Sequence, residues 1–290
     1  MTSVTVLATG PLATIQDLGR PGYAHLGVPG SGGADRGALR LANRLVGNRE
    51  SAATIETTLG GLRVRADGEL LTVVTGADAV VRVNGAPVGL DAAVVLHFGD
   101  ELSVDPPRWG LRNYVAVRGG FDVAPVLGSR STDTLSGLGP APLTVHTTLP
   151  VGTDSADWPP TQSAPPNTRH PRVVELEIHE GPRVDHLVNP EDLCAGTWVV
   201  GADSNRVGVR TDRPVGSSHP LLSHRPDAGE LRSEGVAHGS VQVPPSGRPV
   251  LFLADHPVTG GYPVVAVLTA GSVDLAAQLV PGTEIRFRKR

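Results

Sequence analysis

Short apolar runs rich in Val, Leu and Thr alternate with glycine- and proline-containing breaks along the whole chain. This spacing predicts strands over 70–75, 79–83, 93–98, 101–104, 112–118, 173–179, 198–200, 250–254, 264–268 and 284–288. Asn84-Gly85 and Gly99-Asp100 supply tight-turn chemistry between several of them. Helical periodicity is confined to three stretches. The first follows Asp35, a suitable N-cap, with apolar Ala38, Leu39, Ala42, Leu45 and Val46 before Gly47. The second, 190–197, opens on Asn189-Pro190-Glu191-Asp192, with a cap, a proline at the first helical position and acids in the first turn. The third runs from Ser272 through Leu275, Ala276 and Leu279 to Pro281-Gly282. Three short helices among so many strands predict a mainly β fold.

Composition then divides the chain. Between Pro150 and Pro171 the residues turn to Thr, Ser, Asp, Asn, Gln and repeated Pro, which reads as a linker. The expected organisation is a β domain over 1–155, a Pro-rich linker over 156–170 and a second β domain over 171–290. A net charge of −4 with no basic run gives no footprint for nucleic acid or an anionic membrane. No apolar run approaches the roughly 20 residues of a spanning helix. The first residues show no signal-peptide pattern, so the cytoplasm is the expected compartment. The single cysteine, Cys194, suits a reducing setting; it falls inside the second expected helix and reads as a small buried hydrophobe.

Familiar catalytic signatures are missing. No phosphate loop and no dinucleotide fingerprint are present, and the ten histidines show no metal-ligand spacing, so no metal is expected. Gly30-Ser31-Gly32 lacks the strand and the alternation of a nucleophile elbow. What remains is a set of polar residues in rigid glycine- and proline-rich turns: Thr14-Ile15-Gln16-Asp17-Leu18-Gly19-Arg20-Pro21-Gly22-Tyr23, Ser204-Asn205-Arg206-Val207-Gly208, Ser233-Glu234-Gly235, Gln242-Val243-Pro244-Pro245 and the run from Ala254-Asp255-His256 to Thr259-Gly260-Gly261-Tyr262-Pro263. Function often sits on such loops. The same residues also cap and brace turns, and both readings stand at this point.

These segments resemble one family. Thr14 to Gly22, His25-Leu26-Gly27-Val28-Pro29, Leu41-Ala42-Asn43-Arg44-Leu45-Val46-Gly47-Asn48, Glu56-Thr57-Thr58-Leu59-Gly60-Gly61, Val126 to Thr132 and Thr259 to Pro263 are similar to the biotin-dependent carboxyltransferase domain family. It includes the C component of 5-oxoprolinase, of the KipA type, and allophanate hydrolase subunit 2. The resemblance spans essentially the whole chain. The chain departs from the family pattern at Gly30-Ser31-Gly32-Gly33-Ala34-Asp35 and at Asp255-His256-Pro257-Val258-Thr259.

The resemblance implies two cyclophilin-like β-barrel domains and a KipI-like partner (the B component of 5-oxoprolinase, or allophanate hydrolase subunit 1), with an active site near the junction with that partner. It implies that the C component, together with the B and A components of 5-oxoprolinase, opens the 5-oxoproline lactam to L-glutamate. ATP is then used by the complex through the A component, with no cofactor bound by this chain. In fused relatives the equivalent pair moves a carboxyl group from carboxybiotin to urea or a related amide. A third implied role is non-catalytic, relieving a KipI-like kinase inhibitor by binding it. For a small amide substrate, Gln16, Asn205 and Gln242 are the candidates to match its amide, because an unmatched buried amide costs about 1–3 kcal/mol. Arg20 and Arg206 are candidates for its carboxylate, and Asp17, Glu234 and Asp255 for moving a proton. Ser31, Thr259 and Tyr262 complete the expected substrate-binding set.

Overall fold

In strand Leu62–Ala66, Leu62, Val64 and Ala66 are buried while Arg63 and Arg65 face solvent, the period-two pattern of a sheet wet on one side. Val173–Glu180 repeats it, with Val174, Leu176 and Ile178 buried between exposed glutamates. The computed structural model describes residues 2–165 and 170–290 and is mainly β, as the spacing of turns predicted, with two α-helices among the described residues. Two units emerge: one takes 1–20, 31–133 and 137–170, the other 21–30, 134–136 and 171–290.

The first unit is built on two antiparallel sheets. One has six strands in the order Thr148–Pro150, Ser3–Thr9, Leu62–Ala66, Glu101–Val104, Val81–Val83, Ala86–Val88; the other has five, Leu12–Gln16, Thr54–Thr58, Trp109–Val117, Leu70–Asp78, Val94–Leu96. Val4, Val6, Ile15, Ile55, Val64, Leu102 and Val115 form their shared core. Helix α1 (Arg36–Leu45) is capped as expected, the Asp35 carboxylate accepting from Ala38 N at 2.8 Å. It packs Leu39, Ala42 and Leu45 on Val73, Tyr114 and Ala116. Trp109–Val117 is thus covered on both faces, which explains its nearly continuous burial.

Tyr114 also fixes the approach to α1. Its hydroxyl donates to Glu56 Oε2 at 2.8 Å and accepts from Asp35 N at 2.8 Å, and the same Glu56 oxygen accepts from Ala34 N at 3.0 Å. Burial, with the Glu56 and Asp35 carboxylates next, pushes the phenol well above its usual pKa, so it remains a donor.

The second unit contains a closed barrel in the order Val173–Glu180, Val264–Leu268, Ser240–Gln242, Val250–Phe252, Gly208–Asp212, Trp198–Val200, Glu284–Lys289. Parallel pairing of the last strand with the first closes it, Val174 opposite Ile285 and Leu176 opposite Phe287. Helix α2 (Ala270–Ala276) starts two residues before Ser272, because the Thr269 side chain is the cap.

Two stretches read differently from the sequence. The expected helix over 190–197 is a single 3-10 turn, Pro190–Leu193, capped by Cys194, whose thiol is pushed up in pKa by partial burial. The start signals are real, but the carbonyls of Asp192, Ala195 and Thr197 accept from the Arg213 guanidinium instead of continuing a helix. Within the Pro-rich stretch 156–170, residues 166–169 lie outside the described residues. The preceding part is held on the first unit: Ala93 N donates to Gln162 O and Ala164 N to Asp91 O, both at 2.8 Å.

Candidate functional site

The turn leaving strand Leu12–Gln16 is organised by Asp17. Its Oδ1 accepts from Ser129 Oγ and Ser131 Oγ, each at 2.6 Å, and from Gly19 N at 2.7 Å; Oδ2 accepts from Arg130 N at 2.6 Å. Both oxygens are therefore occupied in joining residues 17–19 to 129–131, and the carboxylate acts as a brace. The loop 31–33 lies on the same turn. Gly32 has φ +100°, and a methyl group there would come 2.9 Å from Leu18 C and Gly19 N, so only glycine fits.

Gln16 is fully buried. Its Nε2 donates to Thr14 Oγ1 at 3.0 Å and to Thr132 O at 2.9 Å. A carbonyl can only accept, so this bond fixes the amide orientation and leaves Oε1 as the second end. Ser31, at φ 51°, donates from Oγ to the same Thr132 carbonyl at 3.1 Å. Arg20, also buried, donates from Nη2 to Ser131 O and from Nε to Val126 O at 3.5 Å. Three buried polar atoms of this neighbourhood, Gln16 Oε1, Arg20 Nη1 and Thr132 Oγ1, find no hydrogen-bond partner among the described residues.

The candidates of the second unit form two groups. Arg206 and Asp255, both essentially buried, face each other bidentately: Nε to Oδ2 at 2.8 Å and Nη2 to Oδ1 at 3.1 Å. Asp255 Oδ2 also accepts from Thr134 N at 3.0 Å and Thr134 Oγ1 at 2.7 Å. The arginine expected to grip a substrate carboxylate and the acid expected to move a proton are thus each other's partners. Asn205, next to Arg206 in sequence, is exposed and uses Oδ1 to accept from Val207 N at 2.8 Å, the turn-bracing role.

The other group surrounds the ribbon Glu234–Gly235 with Thr259–Gly260. Glu234 is bidentate to Arg183, whose hydrogen bonds hold its carboxyl below the usual glutamate range. Gln242 Nε2 donates to Tyr262 O at 2.8 Å, while the Thr259 and Tyr262 side chains are exposed. Sequence reading missed Thr132, Ser129, Ser131, Arg183 and Thr134, although the run Ser129-Arg130-Ser131-Thr132 is an unusual density of hydroxyls. Two surface grooves of the first unit, of about 270 and 480 Å³, are lined by other residues, Arg49, Asp122 and Arg130 in one, Val95, Arg118 and Trp158 in the other. No group of His, Cys, Asp or Glu among the described residues is placed to hold a metal ion, and no helix among them is long and apolar enough to cross a membrane.

Residues 26–289 match the family model described as carboxyltransferase domain, subdomain A and B. The chain belongs to the carboxyltransferase domain family. Among its relatives, the 5-oxoprolinase C component of Escherichia coli (strain K12) is 33% identical over 288 residues, covering 97% of this chain and 89% of the relative. Urea amidolyase of Lachancea kluyveri is 30% identical over 311 residues, again 97% of this chain but 16% of that much longer protein. The crystal structure of the K. lactis urea amidolyase is similar with a TM-score of 0.89 at 30% identity, covering 98% of this chain and 18% of the other. Carboxyltransferase-domain architecture is therefore shared across free-standing proteins and segments of large amidolyases.

Proposed function

We propose that this chain is the C component of an ATP-dependent 5-oxoprolinase, acting in the cytoplasm with a KipI-like B component and an ATP-using A component to open the 5-oxoproline lactam to L-glutamate. The observation that carries the reading is the 33% identity to the bacterial C component across nearly the whole of both proteins. The bonding of the acidic candidates supports a division of labour. Asp17, Asp255 and Glu234 are all engaged by protein donors, which suits a chain that binds and orients substrate while partners supply ATP chemistry and proton transfer. A lone chain is then inactive.

A second reading, allophanate hydrolase subunit 2 or a carboxyltransferase component acting on urea, is favoured by the fold-level likeness to urea amidolyase. Carboxybiotin would then be a co-substrate delivered to the chain.

Co-expression with the KipI-like B component and the A component tests both. ATP-dependent glutamate release from 5-oxoproline that disappears when this chain is omitted supports the first reading. Turnover of allophanate or carboxylation of urea without glutamate release supports the second. A tight complex that turns over none of them overturns both in favour of a regulatory partner of the KipI-like protein.

A further inference from the structure

Three separate loops of the first unit close around the groove of about 270 Å³: residues 49–53 beyond α1, 119–122 beyond strand Trp109–Val117, and 152–154 beyond Thr148–Pro150. Hydrogen bonds between the loops fix its outline. Phe121 N donates to Ala53 O at 3.2 Å, Asp122 N to Pro150 O at 2.9 Å and Gly152 N to Gly120 O at 2.9 Å. The buried Asn48 joins them, its Oδ1 accepting from Gly119 N at 2.8 Å while Nδ2 donates to Val117 O at 2.7 Å. Gly119 and Gly152 cross backbone against backbone, since a methyl on Gly152 would come 2.6 Å from Gly119 O. The groove is thus preformed, and a ligand entering it has no loop to order.

Four charged residues line this one space: Arg49, Asp122, Arg130 and Asp154. They are only loosely paired with each other. Arg130 Nη2 stands 3.5 Å from Asp122 Oδ1, and Arg49 Nε 3.7 Å from Asp154 Oδ1, longer than the roughly 2.7–3.2 Å of an N–H···O hydrogen bond. Their side chains are 38% to 76% exposed, and ion pairs so open to water contribute about 0–1 kcal/mol. A ligand that inserts between the partners therefore forfeits little. Arg130 is nevertheless held in place, because its Nε donates to Val123 O at 2.8 Å.

The pattern of signs selects the ligand. A simple anion in the groove would face Asp122 and Asp154, and a simple cation would face Arg49 and Arg130. A molecule carrying both charges a few ångströms apart meets one of each. The volume lies at the small end of ligand pockets, which run from roughly 300 to 1,000 Å³, and suits a single amino acid rather than a peptide or a nucleotide.

We propose that this groove binds a free α-amino acid: the Arg130 guanidinium takes the α-carboxylate, the Asp122 carboxylate takes the α-ammonium, and Arg49 with Asp154 faces a polar side chain. None of these four residues belongs to the set expected to handle an amide substrate. The site therefore goes beyond the 5-oxoprolinase reading and stands or falls without it.

Calorimetric titration of the purified full chain at low ionic strength tests it. L-Glutamine is the probe, glycine supplies the same head group without a side chain, and succinate and 1,4-diaminobutane carry charges of one sign. L-Glutamine binds at least tenfold more tightly than succinate or 1,4-diaminobutane. Arg130→Gln and Asp122→Asn each weaken L-glutamine and glycine roughly tenfold, the worth of one charge-assisted hydrogen bond. Arg49→Gln weakens L-glutamine by a similar factor and leaves glycine within about twofold. The thermal midpoint is unmoved in all three variants, as expected of exposed side chains, which separates lost binding from lost structure. No binding of either amino acid, succinate binding as tightly as L-glutamine, or affinity unchanged in both Arg130→Gln and Asp122→Asn overturns the site. An equal loss of L-glutamine and glycine in Arg49→Gln overturns the placing of the ligand side chain.

Discussion

The guanidinium carbon of Arg118 lies 3.9 Å from the centroid of the Trp158 ring. Its nitrogens donate to Val46 O at 2.9 Å, Gly47 O at 3.1 Å and Ala156 O at 2.9 Å. One side chain thereby ties the end of α1 to the Pro-rich stretch. Arg213 repeats the arrangement in the second unit, 3.6 Å from the Trp198 centroid and bonded to the carbonyls of Asp192, Ala195, Thr197 and Pro220. Arg118→Lys keeps the charge but not the planar fork. It is expected to destabilise the first unit by about 1–2 kcal/mol and to shift Trp158 emission to the red, both read by fluorescence-monitored urea unfolding. An unaltered midpoint and spectrum would show that the charge alone suffices.

Asp91 supplies a pH-dependent prediction. It is buried, its Oδ1 finds no partner among the described residues, and burial raises its pKa to about 6. The folded protein therefore keeps this proton up to about pH 6, whereas the unfolded chain loses it near pH 4. Stability falls as pH rises through that window and the penalty is complete above it. Asp91→Asn, which also tolerates the residue's φ of 57°, should be more stable than the parent at pH 7 by about 1–3 kcal/mol. The difference should vanish below about pH 4. A gain of equal size at pH 4 and pH 7 would show that ionisation is not its cause.

Asp17→Asn tests the brace between residues 17–19 and 129–131. An amide places a donor where a carboxylate oxygen now receives Arg130 N or the two serine hydroxyls, setting donor against donor. The expected loss is about 2–4 kcal/mol in equilibrium denaturation of the full chain. Ser129→Ala, which removes one of four donors, should cost less than half of that. Equal losses in the two variants would place the effect in the serine.

The contrast between these residues and α1 shows what the sequence could reveal. Asp35 and the apolar spacing behind it specify a helix from local chemistry alone, and β content follows from turn residues a few positions apart. The partners of Asp17 lie 112 and 114 residues away, and Ser3–Thr9 pairs with Thr148–Pro150 across the length of the first unit. No local period encodes such contacts. The polar loops were legible as a set, but whether a given carboxylate is open or engaged depends on which distant donor reaches it. Asp255 and Arg206, read separately as base and substrate clamp, meet through the fold.

That pair gives the sharpest energetic contrast. The Arg206 and Asp255 side chains are 2% and 0% exposed, against 36% and 38% for Arg183 and Glu234. Water screens the second pair and not the first. Asp255→Asn should therefore cost about 3–5 kcal/mol, because it removes the charge that the buried Arg206 faces. Glu234→Gln should leave the thermal midpoint essentially unmoved. Combining Arg206→Met with Asp255→Leu removes both charges together and should recover part of the Asp255→Asn loss. Recovery stays incomplete, because Thr134 N and Oγ1 also donate to Asp255. Thermal unfolding of the three variants decides the matter: a double variant no better than Asp255→Asn would mean that the Thr134 bonds, and not the buried charge, carry the cost.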